Sequence, residues 1–270
     1  MLSRSISRFS FNQATANRWP TPEVIDGCAA AGVGWVGLWR EQTHEYGLER
    51  TVAHLRAADV AVSSLCRGGF FQRDDWRDDN RRAIDEAAAL GAPTLVLVCG
   101  GLGESDLDGA RRRVAASIAD LVPYALDAGV RLAIEPLHPM FASDRCVIST
   151  LALALDIAER HPVEAVGVVV DTYHVWWDER VYEQIRRAGP RIAAFQLADW
   201  VTPLPAGVLT GRGLPGTGCV DLARLWQAVD DAGYTGPVEV EIFNDELWNR
   251  PGADVLRETI ASYDAVRSTR

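Results

Sequence analysis

The amino-acid sequence predicts an α/β fold, a single (β/α)8 barrel (TIM barrel) that spans residues 1–270. Eight short apolar runs alternate with eight segments of helical periodicity, a pattern typical of parallel strand–helix units. No change in composition marks a second domain, and 270 residues is an ordinary length for one such barrel. The alternative, an open doubly wound sheet, would need a Gly-x-Gly-x-x-Gly turn after the first strand. The sequence has no such turn.

In the first half, apolar runs define four strands, and glycine and proline mark the helix ends. The first helix begins at Thr21 and Pro22, a capping residue and a first-turn proline, and ends before Gly32. Pro123 lies inside the fourth helix, where we expect a kink. The predicted strands span residues 6–11, 33–39, 60–66 and 94–99, and the helices lie at or around residues 21–31, 48–55, 78–90 and 114–128.

The second half repeats this pattern. The run from Val166 to Val170 has no polar residue, which is typical of a strand buried on both faces. A Pro- and Gly-rich loop is predicted at residues 203–218, and Asp221 then caps a helix. The predicted strands span residues 130–134, 166–170, 192–197 and 238–242, and the helices lie near residues 150–159, 179–187, 221–232 and 253–267.

Composition and charge exclude several classes of protein. Hydrophobic content of 48% and charged content of 24% are those of a globular protein with a sizeable core. The net charge of −10 argues against nucleic acid or anionic membrane as a partner. All 27 basic residues are arginine, so a Schiff-base lysine is excluded.

The cysteines and the apolar segments predict a cytoplasmic protein. The five cysteines are odd in number and contain no Cys-x-x-Cys, so we expect reduced core residues and not disulfides or a zinc knuckle. The first residues lack an apolar stretch long enough for a signal peptide. No segment approaches the roughly 20 apolar residues that a membrane span requires.

Polar residues stand at the carboxyl ends of four neighbouring strands, where barrels of this type carry their active sites. These residues are Glu135, Asp171, Gln196 and Glu241, on strands five to eight. A single carboxylate at a strand end is more often a helix cap or an ion-pair partner. Four such residues on successive strands, each directly after an apolar run, favour an active site.

The charge of this set predicts a metal ion. Two glutamates and an aspartate at the rim of a dry interior cannot all stay ionised without a compensating charge. With the carbonyl of Gln196 the ligands are all oxygen, which favours Mn²⁺ or Mg²⁺ over zinc.

Two of the five histidines are candidate substrate contacts. His174 follows Asp171 by three residues and is expected on the loop over the barrel mouth. His138 has the same offset from Glu135. The other three lie on or beside predicted helices, where we expect surface positions.

The four strand-end motifs resemble those of the xylose isomerase-like TIM barrel superfamily. They read Ile-Glu-Pro-Leu from residue 134, Val-Asp-Thr-Tyr-His from 170, Phe-Gln-Leu-Ala-Asp from 195 and Val-Glu-Ile-Phe from 240. This group, of the sugar phosphate isomerase/epimerase type, includes ketose 3-epimerases, hydroxypyruvate isomerase, inosose dehydratases and AP endonuclease family 2. The resemblance covers nearly the whole chain and does not specify one substrate.

The resemblance implies roles for individual residues. Glu135, Asp171, Gln196 and Glu241 would bind one divalent metal ion, and Glu135 and Glu241 would also act as acid and base on opposite faces of the substrate. His174 matches a histidine that contacts the substrate in the epimerases. Gln196 departs from them, since they usually carry histidine there, and is similar to hydroxypyruvate isomerase-like members. Arg212 loosely matches a substrate-binding arginine.

The expected function is therefore a metal-dependent isomerase or epimerase that acts on an unphosphorylated keto-sugar through an enediolate. The alternative is a lyase or dehydratase on a keto-sugar, inosose or oxidised glycoside, because the same site supports both. A repair nuclease is disfavoured by the negative charge and the few histidines. A non-enzymatic subunit is disfavoured because all four candidate ligands are retained.

The surroundings of the strand ends leave two questions open. Aromatic residues after several strands form either a pocket wall or a subunit interface, so a homo-oligomer is possible. The glycine-rich segment 211–218 either closes over the substrate or cradles a phosphate, and one accompanying arginine makes phosphate the less favoured interpretation.

Overall fold

Eight parallel strands close into a barrel in the computed structural model, which describes residues 7–205 and 207–269. The barrel strands are β1 Phe9–Asn12, β2 Trp35–Trp39, β3 Ala61–Gly69, β4 Thr94–Val98, β5 Arg131–Ile134, β6 Val166–Asp171, β7 Ile192–Leu197 and β10 Val238–Val240. Around the barrel their order is β1, β10, β7, β6, β5, β4, β3 and β2. The predicted (β/α)8 barrel is confirmed.

Helices follow the strands on the outside of the barrel, and their apolar faces pack on it. They are α1 Thr21–Ala30, α2 Arg40–Tyr46, α3 Leu48–Ala58, α4 Trp76–Leu90, α5 Leu107–Ala128, α6 Leu151–Ala158, α7 Thr172–Val175, α8 Val181–Ala188, α9 Leu222–Asp231, α10 Asp245–Trp248 and α11 Gly252–Ser268. None of these described helices is both long and apolar enough to cross a bilayer.

Several predicted boundaries differ from the observed ones. The first strand begins at Phe9, and the predicted start at residue 6 lies outside the described residues. β3 runs past Cys66 to Gly69 because a bulge at Arg67 lets the strand continue beside β4. α5 stays one helix through Pro123, which lies on its exposed face.

The long loop after β7 is more ordered than predicted. β8 (Asp199–Trp200) and β9 (Arg212–Gly213) pair antiparallel and form a short ribbon above the barrel. This ribbon returns the glycine-rich segment towards the strand ends. Arg212 is buried as a result.

The main core lies between the barrel and its helices, while a second, smaller layer fills the barrel itself. Small side chains from five neighbouring strands form this inner layer. Its members are Cys66, Val96, Ala133, Val169 and Ala194.

Candidate functional site

The inner layer supports the predicted site residues directly. Because side chains alternate between the two faces of a strand, residues two positions apart point the same way. Glu135, Asp171 and Gln196 lie two residues beyond the inner-layer members of their strands and are therefore at the carboxyl end of the barrel interior. All three are at least 95% buried.

A fourth acidic residue, Glu239, lies below the predicted site. It shares the inward face of the last strand with Glu241 and stands beside Gln196 in the register of β10 and β7. Its carboxylate is 2% exposed and accepts four hydrogen bonds. The donors and lengths are Asn12 Nδ2 (2.8 Å), Gln196 Nε2 (2.9 Å), Ser63 Oγ (2.5 Å) and Ser64 Oγ (2.8 Å).

Glu239 was not predicted as a site residue, although the alternation of Val238-Glu-Val-Glu places both glutamates on one face. Gly37 makes room for it, because a Cβ at that position would lie 2.6 Å from Glu239 Oε2. The four hydrogen bonds satisfy this buried carboxylate, and no described residue forms an ion pair with it.

The Glu239 carboxylate fixes the orientation of the Gln196 amide. A carboxylate that accepts hydrogen bonds must face the NH₂ group of the amide, so the carbonyl oxygen points elsewhere. Gln196 Oε1 is buried and has no hydrogen-bond partner among the described residues. An unpaired buried acceptor of this kind fits a role as an oxygen ligand.

Arg212 lies among the carboxylates. Its Nη1 donates to Asp171 Oδ2 (3.0 Å) and Glu241 Oε2 (2.9 Å), and its guanidinium packs against Tyr173 and Phe243. Burial opposes its charge, but the neighbouring carboxylates raise the pKa of Arg212 above its usual value. The predicted substrate arginine therefore contacts the candidate metal ligands themselves.

Burial, followed by the charge of Arg212, lowers the pKa of His174 well below its usual value and so favours the neutral ring. Its Nδ1 accepts the backbone N–H of His138 at 3.1 Å, and its Nε2 lies 3.1 Å from Arg212 Nη2. A neutral ring has one acceptor nitrogen, so it satisfies only one of these two donors.

The His138 side chain does not line the pocket. Its ring packs between Trp177 and Trp200, and its Nδ1 accepts the backbone N–H of Met140. Its contribution to the site is the backbone N–H that holds His174.

Crowding of the carboxyl groups changes their pKa values. Burial, Glu241 and Asp171 raise the pKa of Glu135 well above its usual range. Burial also raises the pKa of Glu241, to about 8, against the lowering effect of Arg212. The pKa of Asp171 is raised by burial and lowered in part by Arg212.

The arrangement fits a divalent cation. Glu135, Asp171 and His174 each offer a ligand atom, and these atoms lie within 4.8 Å of one another. Arg212 contacts the carboxylates of Asp171 and Glu241, and its single positive charge offsets only one of the three negative charges of Glu135, Asp171 and Glu241. Protons or a doubly charged cation held by these oxygens can offset the others.

A small pocket with a cavity volume of about 30 Å³ opens above these groups at the carboxyl ends of the strands. Apolar side chains form much of its wall, and Glu135, His174 and Glu241 lie at its floor. Arg67 and Arg145 also line it, and neither was predicted from the sequence. Arg145 follows a turn after β5, where no strand-end pattern indicates a site.

Comparisons with known proteins agree with this architecture. A family model described as xylose isomerase-like TIM barrel matches residues 25–265. A 3-dehydroshikimate dehydratase of Pseudomonas aeruginosa is 30% identical over 83% of this chain and 36% of its own length. An inosose isomerase of Bacillus velezensis is 28% identical over 56% of this chain and 53% of its own length. The chain thus spans between a third and about half of these two relatives.

One solved structure is similar over nearly the whole chain. Protein SMc04130 from Sinorhizobium meliloti 1021 is 43% identical, with a TM-score of 0.93, and the match covers 97% of this chain and 98% of the other. Isomerases, epimerases and dehydratases recur among the curated relatives.

Proposed function

This chain belongs to the xylose isomerase-like TIM barrel family, and from that premise we propose that it is a divalent-metal-dependent isomerase or epimerase of a small keto-sugar. The observation that carries the proposal is the buried set of three carboxylates around one arginine, with the free Gln196 oxygen beside it. Glu135, Asp171, Gln196 and Glu241 would hold the ion, Mn²⁺ or Mg²⁺, because their donor atoms are all oxygen.

The proposed acid and base are Glu135 and Glu241. Both reach the pocket floor from different strands, and burial raises the pKa of both above the usual carboxyl value, which favours a group that carries a proton before it transfers it. A bound divalent ion would polarise a carbonyl oxygen and thereby acidify the adjacent C–H. One glutamate then removes that proton, and the other returns a proton to the second carbon or to the opposite face.

His174 is proposed to donate a hydrogen bond to the substrate. The backbone N–H of His138 is fixed by the fold and has His174 Nδ1 as its acceptor, so the ring proton belongs on Nε2. A protonated Nε2 is a donor and a poor metal ligand. We therefore assign His174 to a substrate oxygen, together with Arg212, and not to the ion.

The metal content of the purified protein tests this proposal. We expect about one Mn²⁺ or Mg²⁺ per chain, and an affinity at least about 10-fold lower in Glu135→Gln and Glu241→Gln, since each variant loses a charged ligand. Glu104→Gln, at an exposed acid outside the site, is the control. A folded wild-type protein that no divalent ion binds or stabilises would refute the metal site.

Reaction products in deuterium oxide separate the proposal from its main rival. Turnover of ketoses or inososes should incorporate solvent deuterium at a carbon of the recovered sugar. The second candidate is a lyase or dehydratase, which the 30% identity to a dehydratase favours. An unsaturated product would establish that candidate in place of the isomerase.

A further inference from the structure

Two arginine side chains in the pocket have no part in the chemistry proposed above. Arg67 and Arg145 line the same cavity as Glu135 and Glu241. Nε and Nη1 of Arg67 and Nε of Arg145 are buried without a hydrogen-bond partner in the described part of the chain. Because buried N–H groups are almost always paired, these three donors need an acceptor.

The fold holds Arg67 rigidly. It occupies the bulge in β3, and its guanidinium lies 4.4 Å from the Phe70 ring centre and 5.7 Å from that of Trp39. Bulges beside active sites commonly redirect a side chain in this way. Its one ion-pair neighbour in the described residues is Glu41, at 3.7 Å, and that carboxylate is 60% exposed. Nε and Nη1 of Arg67 therefore keep free N–H groups, while Nη2 faces Glu41.

Arg145 lacks even a distant pairing of this kind. The described residues give its side chain neither a hydrogen bond nor an ion pair, although it is half-buried. Burial and the nearby charge of Arg67 both lower its pKa. The charges of Asp144 and Glu135 act in the opposite direction, but neither carboxylate pairs with the Arg145 side chain. An anion bound between the two guanidinium groups would offset their mutual repulsion.

The third arginine of the pocket, Arg212, already has ion-pair partners. Arg212 is neutralised by Asp171 and Glu241, which accept its Nη1 hydrogens. Two of the three carboxylates beside the proposed reacting groups thus share Arg212. Arg67 and Arg145 line the pocket and make no hydrogen bond or ion pair with these carboxylates in the described residues.

We propose that Arg67 and Arg145 bind an anionic group of the substrate, a carboxylate or a phosphate, so that the enzyme acts on a sugar acid or a sugar phosphate. The inference rests on the proposed function and replaces its neutral keto-sugar with an anionic one. Free guanidinium N–H groups donate charge-assisted hydrogen bonds to the oxygens of either anion.

Equilibrium binding of simple anions tests the proposal without any turnover. Calorimetric titrations of the full chain would use pyruvate, inorganic phosphate and neutral dihydroxyacetone as probes. We expect Arg67→Gln and Arg145→Gln each to weaken binding of the preferred anion by about 10- to 100-fold, as loss of a charged hydrogen bond does. Arg73→Gln, an exposed arginine paired with Asp75, is the matched control.

The pattern of results identifies the anion. Tighter binding of pyruvate than of phosphate, lost in both glutamine variants, indicates a carboxylate, and the reverse preference indicates a phosphate; Arg67→Lys shows how much of the binding needs only the positive charge. Circular dichroism and the melting temperature show whether each variant folds, and the lysine variant keeps the test valid if a glutamine variant does not. Wild-type protein that binds neither anion, or folded variants that bind like wild type, would overturn the proposal.

Failure of the anion-binding inference can be distinguished from failure of the proposed function. Anion binding without metal or turnover would leave this inference standing and remove the proposed function. In an active enzyme, the same variants should raise KM for acidic substrates with little change in kcat, because the anion is held equally in the ground and transition states. An unchanged KM for acidic substrates in both variants would contradict the inference.

Discussion

At the scale of single residues, Glu239 determines what Gln196 can do. Its carboxylate accepts the Gln196 N–H and thereby leaves Gln196 Oε1 free. The same carboxylate accepts from Asn12, whose Oδ1 accepts from the indole of Trp39 in the pocket wall. A chain of hydrogen bonds thus joins the barrel interior to both the proposed ligand and the pocket.

Replacing Glu239 with glutamine tests this role. Glu239→Gln places an NH₂ group among four donors and lets the Gln196 amide rotate, so we expect about 10- to 100-fold weaker Mn²⁺ binding. One unsatisfied buried group should also lower the free energy of unfolding by about 1–3 kcal/mol. Calorimetric titration and urea unfolding measure the two effects.

Glu104→Gln is again the control, with an expected change within about 0.5 kcal/mol for an exposed site. Unchanged Mn²⁺ affinity in a folded Glu239→Gln protein would show that Gln196 is not oriented by Glu239 or is not a ligand.

At the scale of elements, the β8–β9 ribbon decides where Arg212 lies. The ribbon depends on Asp199, which is fully buried and accepts from three backbone N–H groups. Oδ1 accepts from Trp200 and Val220, and Oδ2 accepts from Gly216. One carboxylate therefore ties the end of the loop to its beginning.

Removing that carboxylate should loosen the loop. In Asp199→Ala we expect amide hydrogen exchange at Gly216 and Val220 to accelerate at least about 10-fold, because each loses its acceptor. Catalytic efficiency should also fall in Asp199→Ala, since the loosened loop no longer holds Arg212 in place. Exchange measured by NMR or mass spectrometry provides the readout.

Asp221→Ala is the control for this effect, because Asp221 caps α9 and accepts only from Arg224 in the described residues. In Asp221→Ala, faster amide hydrogen exchange should be confined to the start of α9. Equal protection of Gly216 in wild type and Asp199→Ala would show that other contacts hold the loop.

At the scale of the whole molecule, the barrel must close between its first and last strands. β1 pairs with β10 from Phe9 opposite Val238 onwards. Arg8, just before β1, donates to the carbonyls of Gly236 (2.7 Å) and Tyr234 (3.2 Å) and pairs with Asp230 (2.9 Å). This one side chain joins the two ends of the sheet.

Arg8→Ala should therefore destabilise the fold. We expect a loss of about 2 kcal/mol in the free energy of unfolding, since two carbonyls and a carboxylate lose a charged donor. Urea unfolding measures this loss, and an unchanged m-value would show that the variant still unfolds in the same transition. Arg180→Ala, which removes an exposed pair with Glu183, should cost no more than about 0.5 kcal/mol. Equal costs for the two variants would contradict a special role in closure.

The outline of the fold was predictable because its signals are local. Strand and helix periodicity extends over a few residues, and the predicted order of βα units is confirmed in all eight cases. The bulge at Arg67 and the β8–β9 ribbon were missed, since each depends on a partner strand distant in sequence.

The sequence by itself determined the barrel and the alignment of Glu135, Asp171, Gln196 and Glu241 at its carboxyl end, because parallel strands bring their ends to one edge. Tertiary structure alone decided what surrounds them. It brought Arg67 and Arg145 into one pocket, fixed the Gln196 amide through Glu239, and kept the His138 ring outside. Such contacts join residues tens to hundreds of positions apart, and no local pattern encodes that distance.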